Sequence, residues 1–110
     1  MRKMLAAVAL AGATLATVAT GTAHANPQDQ QFFHALERLG FVLYDPPLAI
    51  THGRMICDEG LAHGVSWGEM HGQMLQWGYT HDAASELAIA AIETYCPQYS
   101  PVAAKIARGI

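Results

Sequence analysis

The chain has 110 residues, 52% of them hydrophobic, and carries six lysines and arginines against nine aspartates and glutamates, a formal net charge of −3 with histidine neutral. That length holds one modest core and leaves no room for two domains of ordinary size. The shortage of clustered positive charge argues against nucleic acid and against anionic membrane surfaces, since both select for it.

Residues 1–25 have the pattern of a cleavable signal peptide. Arg2 and Lys3 supply a positive start, Met4 to about Thr20 is an uncharged run of Ala, Leu, Val, Gly and Thr, and Ala23-His24-Ala25 puts small residues at the cleavage point. The threonines and glycines make the run less apolar than a spanning helix of about twenty residues. No cysteine stands at the cleavage point to carry a lipid, so the expectation is a released product without a stable membrane anchor. Cleavage after Ala25 leaves Asn26 to Ile110, with four basic residues against nine acidic ones, a formal charge of −5.

Phe32, Phe33, Leu36 and Leu39 recur at helical spacing up to Gly40, which predicts a first helix from about Gln28 to Leu39. Tyr44-Asp45-Pro46-Pro47 breaks the chain, because a proline disfavours helix at the residue before it yet suits the first turn of the next. A second helix is predicted from about Pro47 to His63, with Ile50, Gly53, Cys57 and Leu61 on one face and Gly64 just past its end. Ser66-Trp67-Gly68-Glu69 has capping-box spacing and opens a third helix, whose bulky stripe of Trp67, Met70, Met74 and Trp77 ends near Gly78. Thr80 or Asp82 can cap a fourth helix carrying Ala84, Ala88, Ile92 and Cys96 at four-residue steps, with Leu87 and Ile89 alongside, and Pro97 stops it. Residues 98–110 read as a poorly ordered tail with one weak amphipathic turn through Val102, Lys105, Ile106 and Arg108.

With no strand-like alternation, repeat or low-complexity run after the leader, the chain reads as an all-α bundle of about four helices, with residues 26–97 as its domain. Both cysteines, Cys57 and Cys96, fall on inward stripes. In an exported chain with only two, one disulfide between helices two and four is the expectation, and a redox or metal pair would want Cys-x-x-Cys spacing that is missing.

The early aromatic helix, Gly53-Arg54 ahead of Cys57, Gly64 and Ser66 after it, and a last helix ending Tyr95-Cys96-Pro97 together give a layout that resembles the domain of unknown function 732. This is a family of small exported proteins of mycobacteria and related actinobacteria. The resemblance covers about Gln30 to Pro97 and implies a secreted helical domain with one Cys57–Cys96 disulfide. It transfers no activity, and the tail and the Trp67/Trp77 pair lie outside what it matches.

The remaining candidates for chemistry are sparse. Five histidines follow the leader, His34, His52, His63, His71 and His81, but no two stand three or four residues apart. Glu59 and His63 do have the four-residue step and are candidates for a ligand or metal contact, against the commoner reading as an acid and a base on a solvated helix face. Trp67 and Trp77 form a bulky face that so small a bundle does not fully bury, which marks them as a candidate partner-binding patch. Haem capture by Tyr44, Tyr79 or Tyr95 with a histidine is an alternative. Ser66 is used as a cap, Ser85 lacks a glycine-rich turn to expose it, and no catalytic motif or phosphate-cradling loop is present. The sequence thus predicts an extracytoplasmic, monomeric binding or interaction module without cofactor or enzymatic activity. The alternative is a carrier of haem, a metal ion or a lipid, and neither ligand nor protein partner is named by the sequence.

Overall fold

The computed structural model describes residues 26–109, and the expected leader, residues 1–25, lies outside them. Among the described residues there are five α-helices and no strand: α1 (Pro27–Arg38), α2 (Pro46–Met55), α3 (Trp67–Gln76), α4 (His81–Tyr95) and α5 (Ser100–Ala107). A π-turn at Ile56–Gly60 and a 3-10 turn at Leu61–His63 extend α2, and a 3-10 turn at Pro97–Tyr99 leads into α5.

Each of the first four helices starts on the side chain its sequence offers. Asn26 accepts from the Gln28 and Asp29 amides, Asp45 from Leu48, Ser66 from Glu69 and Thr80 from Ala83. Thr80 rather than Asp82 is therefore the cap of α4. Half of the anticipated capping box forms at α3: the Ser66 hydroxyl takes the Glu69 amide at 3.2 Å, while the Glu69 carboxylate lies 3.4 Å from that hydroxyl instead of reaching the Ser66 backbone.

Gly40, Gly64 and Gly78 close α1, the α2 extension and α3 with positive φ. At Gly78 the Tyr79 amide returns to the Met74 carbonyl at 3.1 Å and the Gly78 amide to Leu75 at 3.0 Å, a Schellman closure that folds Tyr79 back over α3. A β-carbon at a φ of 103° would strain that turn.

Helix α4 is the centre of the molecule and packs against the other four. Ala84, Leu87, Ala88, Ala90, Ala91 and Ile92 are all fully buried, more than one helical stripe. Small residues let neighbouring backbones approach on several sides. Phe32 and Leu36 of α1, Ile50 of α2, Met70 and Met74 of α3 and Ile106 of α5 complete the core. The Cys57 and Cys96 sulfurs meet at disulfide distance, with their Cα atoms 5.9 Å apart, tying the π-turn to the end of α4 across 39 residues. A loop of that length stabilises by about 4 kcal/mol in the chain-entropy account.

Two expectations need correction. The predicted second helix, Pro47–His63, changes pitch at Ile56, and the four buried stripe residues survive because the path stays right-handed. The segment expected to be a poorly ordered tail instead forms α5, which docks on α4 and buries Ala103 and Ile106. Val102, Lys105, Ile106 and Arg108 read as one weak amphipathic turn because the stretch is short, yet the apolar flank of α4 gives Ile106 and its neighbour Ala103 somewhere to pack.

Close approach of α1 and α2 depends on Gly53. A β-carbon there would lie 2.7 Å from the Phe32 ring, itself fully buried against Tyr95 at 5.1 Å between centroids. Gly53→Ala should therefore destabilise the protein by about 1–3 kcal/mol despite its gain in helix propensity, read as a lower urea midpoint.

Candidate functional site

Helix α3 and the α2 extension border a groove of about 520 Å³. Met55, Ile56, Val65, Met70 and Met74 give it an apolar lining, Trp77 stands at one end, and Glu59, Glu69 and Gln73 contribute polar groups. The backbones come close at Gly60, where a β-carbon would run into the Met70 side chain. The thioethers are unbranched and polarisable, so this wall can re-pack around differently shaped guests.

Trp77 also borders a smaller cavity of about 160 Å³ with Phe41, Tyr44, Leu48, His52 and Tyr79. Its indole stacks on the His52 ring at 4.0 Å between centroids and 9° between planes. The His52 Nδ1 lies 2.7 Å from the Tyr79 hydroxyl, which the Gly78 closure has turned towards it. Burial holds the His52 imidazole below its ordinary value, and the Asp45 carboxylate partly opposes the shift. The Tyr79 phenol is pushed up, by burial first and then by Asp45. Val42 and Tyr44 beside this stack are 61% and 90% exposed.

At the far end of α3, Trp67 packs on His71 at 5.3 Å, and His71 Nε2 lies 2.8 Å from His81 Nδ1. These three, with Ser85, Ile106 and Gly109, line a cavity of about 200 Å³. The two tryptophans proposed as one patch thus border different cavities. Glu59 lines the groove while His63 sits exposed on the 3-10 turn, and no hydrogen bond or ion pair joins them. The change of pitch at Ile56 removes the regular four-residue relation on which their pairing was argued. Among the described residues no group of three or more His, Cys, Asp and Glu side chains gathers to hold a metal.

A third polar cluster lies inside the fold. Asp29, in the first turn of α1, is 4% exposed and accepts from Arg54 at 2.9 Å and from the Tyr95 hydroxyl. The Arg54 guanidinium lies 4.4 Å from the centre of the Tyr95 ring. Burial pushes the Tyr95 phenol well up, and its bond to Asp29 adds to the shift. The sequence singled out Arg54 as a flank of Cys57, and Tyr95 as a flank of Cys96 and one of three tyrosines for haem capture. No local signal pairs Asp29 with residues 25 and 66 positions away.

The family model described as "Protein of unknown function (DUF732)" matches residues 28–98. The chain belongs to the DUF732 family. Uncharacterized proteins of Mycobacterium bovis and of two Mycobacterium tuberculosis strains are 33% identical over 95 residues, 86% of this chain and 83% of theirs. No solved structure matches. The DUF732 match takes in the groove, the His52 stack, the Asp29 cluster and both cysteines, and it stops before α5. Ile106 and Gly109, which help close the His71/His81 cavity, therefore lie outside the DUF732 region.

Tyr95→Phe removes one hydrogen bond to a buried carboxylate and should cost about 1.5–3 kcal/mol in denaturant unfolding. His52 gives a pH dependence of known sign. The folded state resists its protonation, so the unfolded chain takes the proton first. The stability contributed by neutral His52 is full above about pH 7.5 and is lost as pH falls through 6.5 towards the lowered folded value. Comparing urea midpoints between about pH 8 and 5 should show His52→Gln with a shallower acid loss than the parent protein.

Proposed function

We propose that the protein is an exported, monomeric, non-enzymatic binding module whose recognition surface is the groove between the α2 extension and α3. The observation that carries this reading is the groove's make-up: a floor of the buried core residues Met70 and Met74, half-buried Met55 and Trp77 beside it, and Glu59 and Glu69 also lining it. Such a surface suits an apolar segment of a partner protein that carries basic residues, because the apolar wall supplies burial and the acids supply orientation. The leader pattern of residues 1–25 and the paired cysteines support export. No helix among the described residues is long and apolar enough to cross a membrane.

A second reading, carriage of a small apolar ligand such as haem or a lipid, is favoured by one feature, the groove's 520 Å³, which falls in the range of about 300–1,000 Å³ typical of ligand pockets. The two readings separate in one experiment on protein recovered from its host's culture medium, with a photoreactive side chain at Gln73 in the groove or at Glu37 on α1. Crosslinking to a protein from Gln73 and not from Glu37, with a native mass that starts at Asn26 and carries no adduct, is the expected result. An adduct that leaves on acid denaturation would make the protein a carrier. Retention of Met1, or absence from the medium, would overturn export.

A further inference from the structure

We propose that His71 and His81 form a binding site for a divalent transition-metal ion, Cu²⁺ or Ni²⁺ in preference to Zn²⁺. His71 lies on α3 and His81 opens α4, ten residues later, so the turn through Gly78 brings together two rings that no helical spacing would pair. Nε2 of one and Nδ1 of the other stand 2.8 Å apart, and the ring planes are 72° from parallel.

In the unloaded pair one nitrogen donates and the other accepts, so a single proton occupies the space between two strong metal ligands. Replacing that proton by a metal ion bound to both nitrogens turns each ring by roughly 45°, because donor and lone pair that now point at one another must converge on the ion. His81 is exposed and His71 half-buried, so neither rotation is blocked by core packing.

A bite kept near that separation suits one class of ion. With metal–nitrogen bonds of about 2.0–2.1 Å, nitrogens 2.8 Å apart subtend roughly 90° at the metal. That is the adjacent-ligand angle of square-planar and tetragonal Cu²⁺ or Ni²⁺ sites, whereas tetrahedral Zn²⁺ would need the nitrogens about 3.3 Å apart. Two imidazoles leave the other positions to water. The adjoining cavity of about 200 Å³ has room for it, and Ser85 in its wall supplies a hydroxyl to bond it.

Trp67, at 5.3 Å from the His71 ring, steadies that ring on one side and reports on the site, because an ion with an open d-shell bound there quenches its emission. The test is a titration of the purified, disulfide-bonded protein with Cu²⁺, Ni²⁺ and Zn²⁺, followed by tryptophan fluorescence and, for Cu²⁺, by electron paramagnetic resonance. Expected are one equivalent of Cu²⁺, quenching, a two-nitrogen hyperfine pattern, and affinity in the order Cu²⁺, Ni²⁺, Zn²⁺. His71→Asn and His81→Asn should each weaken Cu²⁺ at least tenfold with helicity unchanged, while His34→Asn and His63→Asn leave it alone. Binding that survives both variants, or that is lost in His63→Asn instead, would overturn the proposal, as would Zn²⁺ binding more tightly than Ni²⁺.

Discussion

The rest of the structure depends on how the C-terminal end of α4 is held. Cys96 ties it covalently to the π-turn at Cys57, and the adjacent Tyr95 donates to Asp29 of α1, whose second partner is Arg54 of α2. Two segments far apart in sequence, α1 and α2 with its extension, therefore converge on two consecutive residues. The covalent link acts on the unfolded chain by shortening its loops, whereas the Asp29 cluster acts on the folded state by satisfying a buried carboxylate. They support each other, because the ion pair needs α1 and α2 in register and the disulfide fixes the second of these against α4.

With α1, α2 and α4 fixed in this way, α3 is the helix that carries most of the surface chemistry. Its principal helical neighbour is α4, and it is bounded by Gly64 and Gly78, each at positive φ. Met70 and Met74 face the core, while at its two ends Trp67 packs on His71 of the same helix, itself paired with His81 of α4, and Trp77 stacks on His52 of α2. A helix held by methionines and aromatic stacking rather than by branched aliphatic side chains can shift slightly without opening a void.

Most of the fold was legible because its signals are local. Ser66 and Thr80 as caps, the glycines as stops, and the stripe of Ile50, Gly53, Cys57 and Leu61 need only a few residues each to be read, whereas Asn26 and Asp45 emerge as caps only in the fold. The change of pitch at Ile56 was not legible, since a π-turn arises from packing: Gly60 must come up against Met70 while Cys57 still reaches Cys96. Helix α5 was missed for a related reason, that an eight-residue helix is stable only where a neighbour covers its apolar face, and that neighbour, α4, is reached only when the turn at Pro97–Tyr99 folds the chain back. The site was read least well. Its histidines meet partners across turns, so a search for three- and four-residue steps found Glu59 with His63 and passed over His71 with His81.

The three clusters differ in burial, and the difference decides what each can do. Asp29 is almost wholly enclosed with two donors aimed at it, so its bonds are already made and it has nothing left to offer a ligand. His52 is half-buried and occupied on one ring face and one nitrogen, which makes it a wall of the Trp77 end rather than a free base. His71 and His81 have ring nitrogens satisfied only by each other, at the edge of a cavity open to water. A small domain cannot spare polar side chains for its interior unless they are paired, and the groups left able to exchange partners are those its turns bring together at the surface. In this fold those turns flank α3, which is why the groove and the histidine pair lie along that helix while the covalent and ionic supports lie on the others.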